Sequence, residues 1–115
     1  MPMMLRTYDV YTTDDFNKWR DSVTDQTAKR AINARITRMA SGNFGDVKKI
    51  QSISEARIDV GQGYRLYYKI HERRIIVLLI GGNKKTQDSD IQKALEMAAQ
   101  DFSFLTDEQH GDAEA

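Results

Sequence analysis

The chain has no cysteine, one proline and only two histidines among its 115 residues. The missing cysteine excludes a disulfide framework, a thiolate metal site and a cysteine nucleophile. His71 and His110 are too few for a serine–histidine–acid arrangement, and no cluster of histidines and carboxylates has ligand-like spacing. No apolar run approaches the roughly 18 residues of a membrane span, and MPMMLRTYDV has no long apolar segment before Asp9. The expectation is a soluble, cytoplasmic protein with no membrane partner. Net charge is absent too, because 17 basic side chains balance 17 acidic ones. That balance hides an asymmetry: residues 101–115 carry five carboxylates and no Lys or Arg, which leaves 17 basic against 12 acidic side chains in residues 1–100. A basic body suits a polyanionic partner, but composition alone favours reading the acidic tail simply as a solvated chain end.

A chain of 115 residues can bury one core without staples. The patterning predicts one domain over 1–100 and an acidic, flexible tail over 101–115, where Phe102, Phe104 and Leu105 are the candidate anchors. Arg6 to Tyr11 is a β-prone run. Thr12-Thr13-Asp14-Asp15 offers caps for a helix over 15–23 with Phe16, Trp19 and Val23 on its core side. Thr24-Asp25 opens a longer helix, with Ala28, Ala31, Ile32, Ile36 and Met39 at helical spacing and Gly42 past its end. Lys29, Arg30, Arg35 and Arg38 decorate that helix as a solvated face. Val47 to Ile53 reads as a short strand carrying Lys48 and Lys49. After Thr86, Ile91, Ala94, Leu95 and Ala98 give a last helix its apolar side. The order predicts an α+β domain: strand, helical hairpin, antiparallel sheet of three to four strands, C-terminal helix, with the helices on one face.

The best-patterned stretch runs from Glu55 to Gln87. Ala56, Ile58 and Val60, then Tyr64, Leu66, Tyr68 and Ile70, alternate with polar residues around Gly61-Gln62-Gly63, the signature of a hairpin. If Val60 faces Tyr64, then Asp59 faces Arg65, Arg57 faces Tyr67 and Glu55 faces Lys69, all on one side. The third run, Ile75 to Ile80, is apolar throughout, as a central strand covered on both faces would be, and is expected to stop at Gly81-Gly82. Lys84 and Lys85 follow, without the remainder of a Walker pattern. Arg57, Arg65 and Lys69, with Tyr67 and the lysine pair, form a cluster suited to a phosphodiester. Cations can stabilise charge developing on phosphorus oxygens during attack by a 2′-hydroxyl, with a general acid at the departing 5′-oxygen. Lys48, Lys49 and Lys69 extend the surface as candidate RNA-binding residues. The competing reading is of cross-strand charge pairs that solubilise an exposed sheet face, each worth under about 1 kcal/mol.

Three segments carry a family resemblance: E-A-R at Glu55–Arg57, G-Y-R-L-Y-Y at Gly63–Tyr68, and L-L-I-G-G-N-K-K-T-Q from Leu78, followed by D-I-x-x-A through Ala94. They resemble the RelE/ParE toxin superfamily, and within it the HigB-like, phage-derived addiction-module killer proteins. The resemblance covers about residues 5–100 and is strongest from Glu55 onward. It implies a type II toxin–antitoxin toxin that cleaves mRNA on the translating ribosome. It also implies neutralisation by a cognate antitoxin, a small helix-turn-helix protein of the same operon, and no cofactor or metal. By motif, Arg57 and Arg65 would hold the scissile phosphate, with Lys84 and Lys85 as phosphate contacts or proton-transfer groups. Tyr67 is added by strand parity. Some relatives place a tyrosine or histidine after the last helix, where this chain is acidic and has only His110. The superfamily also contains poisons of DNA gyrase, which leaves gyrase as the alternative partner; a non-catalytic nucleic-acid-binding module is the third reading.

Overall fold

A computed structural model of the chain describes residues 7–106. The expected start of the first strand at Arg6, and the tail carboxylates and His110 from residue 107 on, lie outside the described residues. The elements run β1 (Asp9–Thr12), α1 (Asp14–Ser22), α2 (Gln26–Ala40), β2 (Val47–Ile50), β3 (Ile53–Ile58), β4 (Tyr64–His71), β5 (Ile75–Asn83) and α3 (Gln87–Ala98). Both helices of the hairpin start where side-chain oxygens can take up free backbone N–H groups. The Thr13 hydroxyl accepts from the Phe16 N–H at 3.0 Å. The Asp25 carboxylate accepts from Thr27 and Ala28 at 2.9 and 3.2 Å.

The α+β class stands, as a five-stranded mixed sheet in the order β1-β5-β4-β3-β2. β2 to β5 are antiparallel neighbours, and β1 lies parallel to β5 on the far edge. The expectation that all helices share one face is corrected. Phe16, Ile32 and Met39 of the helical hairpin pack with Ala56, Leu66, Tyr68, Ile76 and Leu78 on one side. Ala94 and Ala98 of α3 pack with Tyr67, Val77, Leu79 and Ile80 on the other. The cause is visible in β5, whose apolar residues on both faces need two layers of cover. Phe102 and Leu105 are buried in the second cluster, so two of the three candidate anchors hold, while Phe104 is exposed.

The β3–β4 turn is wider than expected. Gly61 and Gly63 take positive φ as the turn requires, but the strands stop at Ile58 and resume at Tyr64. Pairing is therefore shifted by two residues: Arg57 lies opposite Arg65, and Glu55 opposite Tyr67. The pairings of Arg57 with Tyr67, Glu55 with Lys69 and Asp59 with Arg65 are replaced. A shift of two preserves strand parity, so the same residues still share a face.

β5 does not end at the glycines. It continues to Asn83, with Leu66 opposite Gly81 and Arg65 opposite Gly82. A bulge makes this register: Tyr67 pairs with Ile80 and Tyr68 with Leu78, leaving Leu79 as the extra residue. The glycines are needed for close approach, because a Cβ at Gly81 would overlap the Trp19 ring and one at Gly82 the Asp90 carboxylate. Adjacent positions of one strand thus admit a helix from each side.

Candidate functional site

Without the extra residue in β5, Asn83 would stand opposite Gly63. The bulge instead brings Lys84 there, and its aliphatic stem lies over Gly63. Lys84 joins Asp46, Arg57, Ile58, Asp59, Gly63 and Arg65 in lining a cleft of about 310 Å³. Direct opposition of two arginines on neighbouring strands is unfavourable unless each has a counter-charge. The two are neutralised in different ways. Arg65 is buried, and its Nε lies 3.6 Å from Oε2 of Glu55, a carboxylate that is fully buried. The same oxygen accepts a 2.8 Å hydrogen bond from the side-chain amide of Gln87, the first residue of α3. Arg57 is half-exposed and meets Asp46 at 3.3 Å across the sheet edge.

The expected site residues separate into two groups. Arg57, Arg65 and Lys84 come together at the cleft. Tyr67 shares the sheet face but is fully buried beneath α3, with its hydroxyl beside the Glu55 carboxylate. Burial, and then the neighbouring Glu55 carboxylate, push this phenol far above its ordinary pKa. Tyr67 is therefore not exposed at the cleft as a proton donor. Lys69 is used elsewhere: its ammonium donates to the Ala98 carbonyl at the end of α3 at 3.0 Å and lies 5.3 Å from the centre of the Phe102 ring. Lys85 does not line the cleft; its backbone N–H donates to the Asn83 side chain. Lys48 and Lys49 stand exposed on edge strand β2, opposite Glu55 and Ser54. Lys48 shares the sheet face of the arginines and Lys49 takes the other.

Three contributors escape a reading of the chain by composition. Asp46 belongs to a Ser-Gly-Asn-Phe-Gly-Asp loop, yet the β2–β3 register carries it opposite Arg57, whose N–H donates to the Asp46 carbonyl at 2.9 Å. The tight turn at Gln51–Ser52 would have revealed this, but it has no Asn-Gly or Asp-Gly signal. Gln87, at the end of the K-K-T-Q segment, opens α3 and turns its side-chain amide onto Glu55. Arg35, expected on a solvated face, is buried: its guanidinium donates to the Arg57 carbonyl at 2.9 Å and the Phe44 carbonyl at 3.4 Å. Burial, then the adjacent Arg38 charge, pull its pKa below the ordinary value. A long cationic stem here fills core space while its head satisfies carbonyls at the end of β3. His71 is also less exposed than a turn residue would be, since it ends β4 and packs edge-on to Phe102.

Fold and site together define a small α+β domain whose mixed sheet, covered by helices on both faces, opens a cleft lined by two arginines and a lysine at the β3–β4 turn. An uncharacterized protein of Haemophilus influenzae is 47% identical over 89 residues, spanning 76% of this chain and 90% of the relative. The chain belongs to the same family as that protein. No family model matches the chain. Among the described residues no helix is long and apolar enough to cross a membrane.

Proposed function

We propose that the chain is the toxin of a type II toxin–antitoxin pair, an endoribonuclease that cleaves translated mRNA by attack of the 2′-hydroxyl on the adjacent phosphate. The observation that carries the reading is the convergence of Arg57, Arg65 and Lys84 on one cleft, the first two directly opposite in register. The E-A-R and G-Y-R-L-Y-Y resemblance supports it by supplying those same arginines. In this reading the two guanidiniums and the ammonium hold the scissile phosphate and stabilise the negative charge that develops on its oxygens. Asp46 and Asp59, the titratable acids lining the cleft, are the groups within it that could take the 2′-hydroxyl proton. The ribosome and mRNA are the working partners, the cytoplasm the compartment, and a helix-turn-helix antitoxin the neutralising partner. The test is a translation reaction supplied with purified protein, followed by primer extension on the message. Discrete new 5′ ends that vanish with Arg65→Ala support the reading. Intact message at concentrations that stall translation would refute it.

One feature favours a second reading, a nucleic-acid-binding inhibitor without strand scission. Among the described residues the cleft is lined by no histidine or tyrosine, and Tyr67 lies buried beneath α3. Salt-dependent RNA binding with no cleavage in the same assay supports that reading. Trapped DNA breaks in the presence of gyrase, with untouched message, would support gyrase as the target.

A further inference from the structure

The two arginines of the cleft differ in how firmly their carboxylate partners are held. Glu55, which serves Arg65, is fully buried and tied to α3 through Gln87, so an incoming anion has no route to replace it. Asp46, which serves Arg57, is 62% exposed and meets a guanidinium that is itself 41% exposed, on the wall of the cleft. Its main chain is nevertheless fixed. The Asp46 carbonyl accepts from the Arg57 N–H, and Arg35 clamps the Phe44 and Arg57 carbonyls on either side of it. The loop therefore delivers a carboxylate to Arg57 by construction while leaving the side chain free to swing away. Counting the lining residues, Arg57, Arg65 and Lys84 are opposed by Asp46 and Asp59. Adding Glu55 beneath leaves the cleft with no net charge among the described residues.

We propose that Asp46 is an internal counter-anion that occupies Arg57 until a phosphate group displaces it. It thereby sets the threshold affinity that any anionic ligand must reach. The inference rests on the reading of the cleft as a phosphate site. An exposed ion pair is worth up to about 1 kcal/mol, which leaves Arg57 free at least about one-sixth of the time and reduces the affinity of every competing anion to that fraction. The mechanism has a signature that a general gain of positive charge lacks. The penalty falls equally on inorganic phosphate and on an RNA strand, and it requires Arg57.

The experiment measures binding of a fluorescent, uncleavable 2′-O-methyl RNA oligonucleotide by anisotropy, and of inorganic phosphate by chemical-shift titration. It uses the full chain and the variants Asp46→Asn, Asp59→Asn, Arg57→Gln, Arg65→Gln and Asp46→Asn/Arg57→Gln. Asp46→Asn is expected to tighten both ligands by a similar factor, roughly three- to fivefold. Asp59→Asn, whose carboxylate makes no ion pair among the described residues, gains less. The gain from Asp46→Asn disappears in the Arg57→Gln background. Unchanged affinity in Asp46→Asn, or a gain that survives without Arg57, overturns the proposal. If that happens while Arg57→Gln and Arg65→Gln still weaken RNA binding, the phosphate site stands and the counter-anion role alone is lost. RNA binding indifferent to both arginine substitutions removes the site itself.

Discussion

The pair formed by Glu55 and Arg65 offers a quantitative test of how the cleft is built. Glu55→Ala leaves Arg65, one-tenth exposed at its side chain, without its buried counter-charge, and the Gln87 amide without its acceptor. Removing one member of a buried pair costs about 3–5 kcal/mol, because the remaining charge stays desolvated. The 3.6 Å separation is longer than a hydrogen bond, which argues for the lower end, about 3 kcal/mol. Against a total stability of about 5–15 kcal/mol, that loss is large. With a urea dependence of about 1–3 kcal/mol per molar, the unfolding midpoint should fall by roughly 1–3 M. Glu55→Gln, which keeps an acceptor but not the charge, should fall in between. Replacing both residues by methionine should recover most of the loss, since an apolar pair of similar volume is often neutral or better. The reasoning is refuted if Glu55→Ala unfolds within about 0.5 M urea of the parent chain, or if the double substitution is as damaging as the two single ones added together.

Other expectations follow from single features. Tyr67→Phe should change stability at neutral pH by no more than about 1.5 kcal/mol, because its buried hydroxyl has the Glu55 carboxylate as its polar neighbour; circular-dichroism melts would check this, and unaltered RNA cleavage would separate Tyr67 from the chemistry. Burial and Glu55 hold the Tyr67 phenol above its ordinary 10.0, and burial raises Tyr68 as well. The folded chain then keeps protons that the unfolded chain gives up, so stability should be full below about pH 10 and decline as pH rises past it, less steeply in Tyr67→Phe. Gly81→Ala should lower the melting temperature by roughly 5–15 °C, reflecting an overpacking cost of about 1–3 kcal/mol against Trp19. The β4–β5 turn puts Glu72 and Arg73 at φ 55° and 63°. Replacing them with Asn-Gly should stabilise the chain by about 1–2 kcal/mol in urea titrations.

The element order and most helix ends were readable because their signals are local: Thr13 and Asp25 cap where they stand, and Phe16, Ile32 and Met39 recur at helical spacing. Strand parity was readable too, which is why Glu55, Arg57, Arg65 and Tyr67 do share a face. Register was not, since a turn of five residues rather than three keeps parity while exchanging every partner. The β5 bulge was hidden because an apolar run with no alternation contains no phase to break. Placement of α3 on the opposite face from the helical hairpin depends on the sheet as a whole. That placement separates Tyr67, buried beneath α3, from the arginines at the cleft. Arg35 misled for a related reason: a charge on a helix reads as solvated until tertiary carbonyls are placed around it.

The glycine pair in β5 has a consequence for how this family can change. The sheet has no side-chain thickness at two successive residues, one opening toward Trp19 and the next toward Asp90 and Thr86. Substitutions at these places are therefore tied in pairs across different segments. A homologue with alanine or serine at position 81 must carry a smaller side chain at 19, and one with a side chain at 82 must shorten the residue at 90 or shift the start of α3. Because Gln87 in that first turn holds Glu55, and Glu55 holds Arg65, the second pairing reaches the cleft. Drift at position 82 would be felt in the orientation of an arginine on the neighbouring strand.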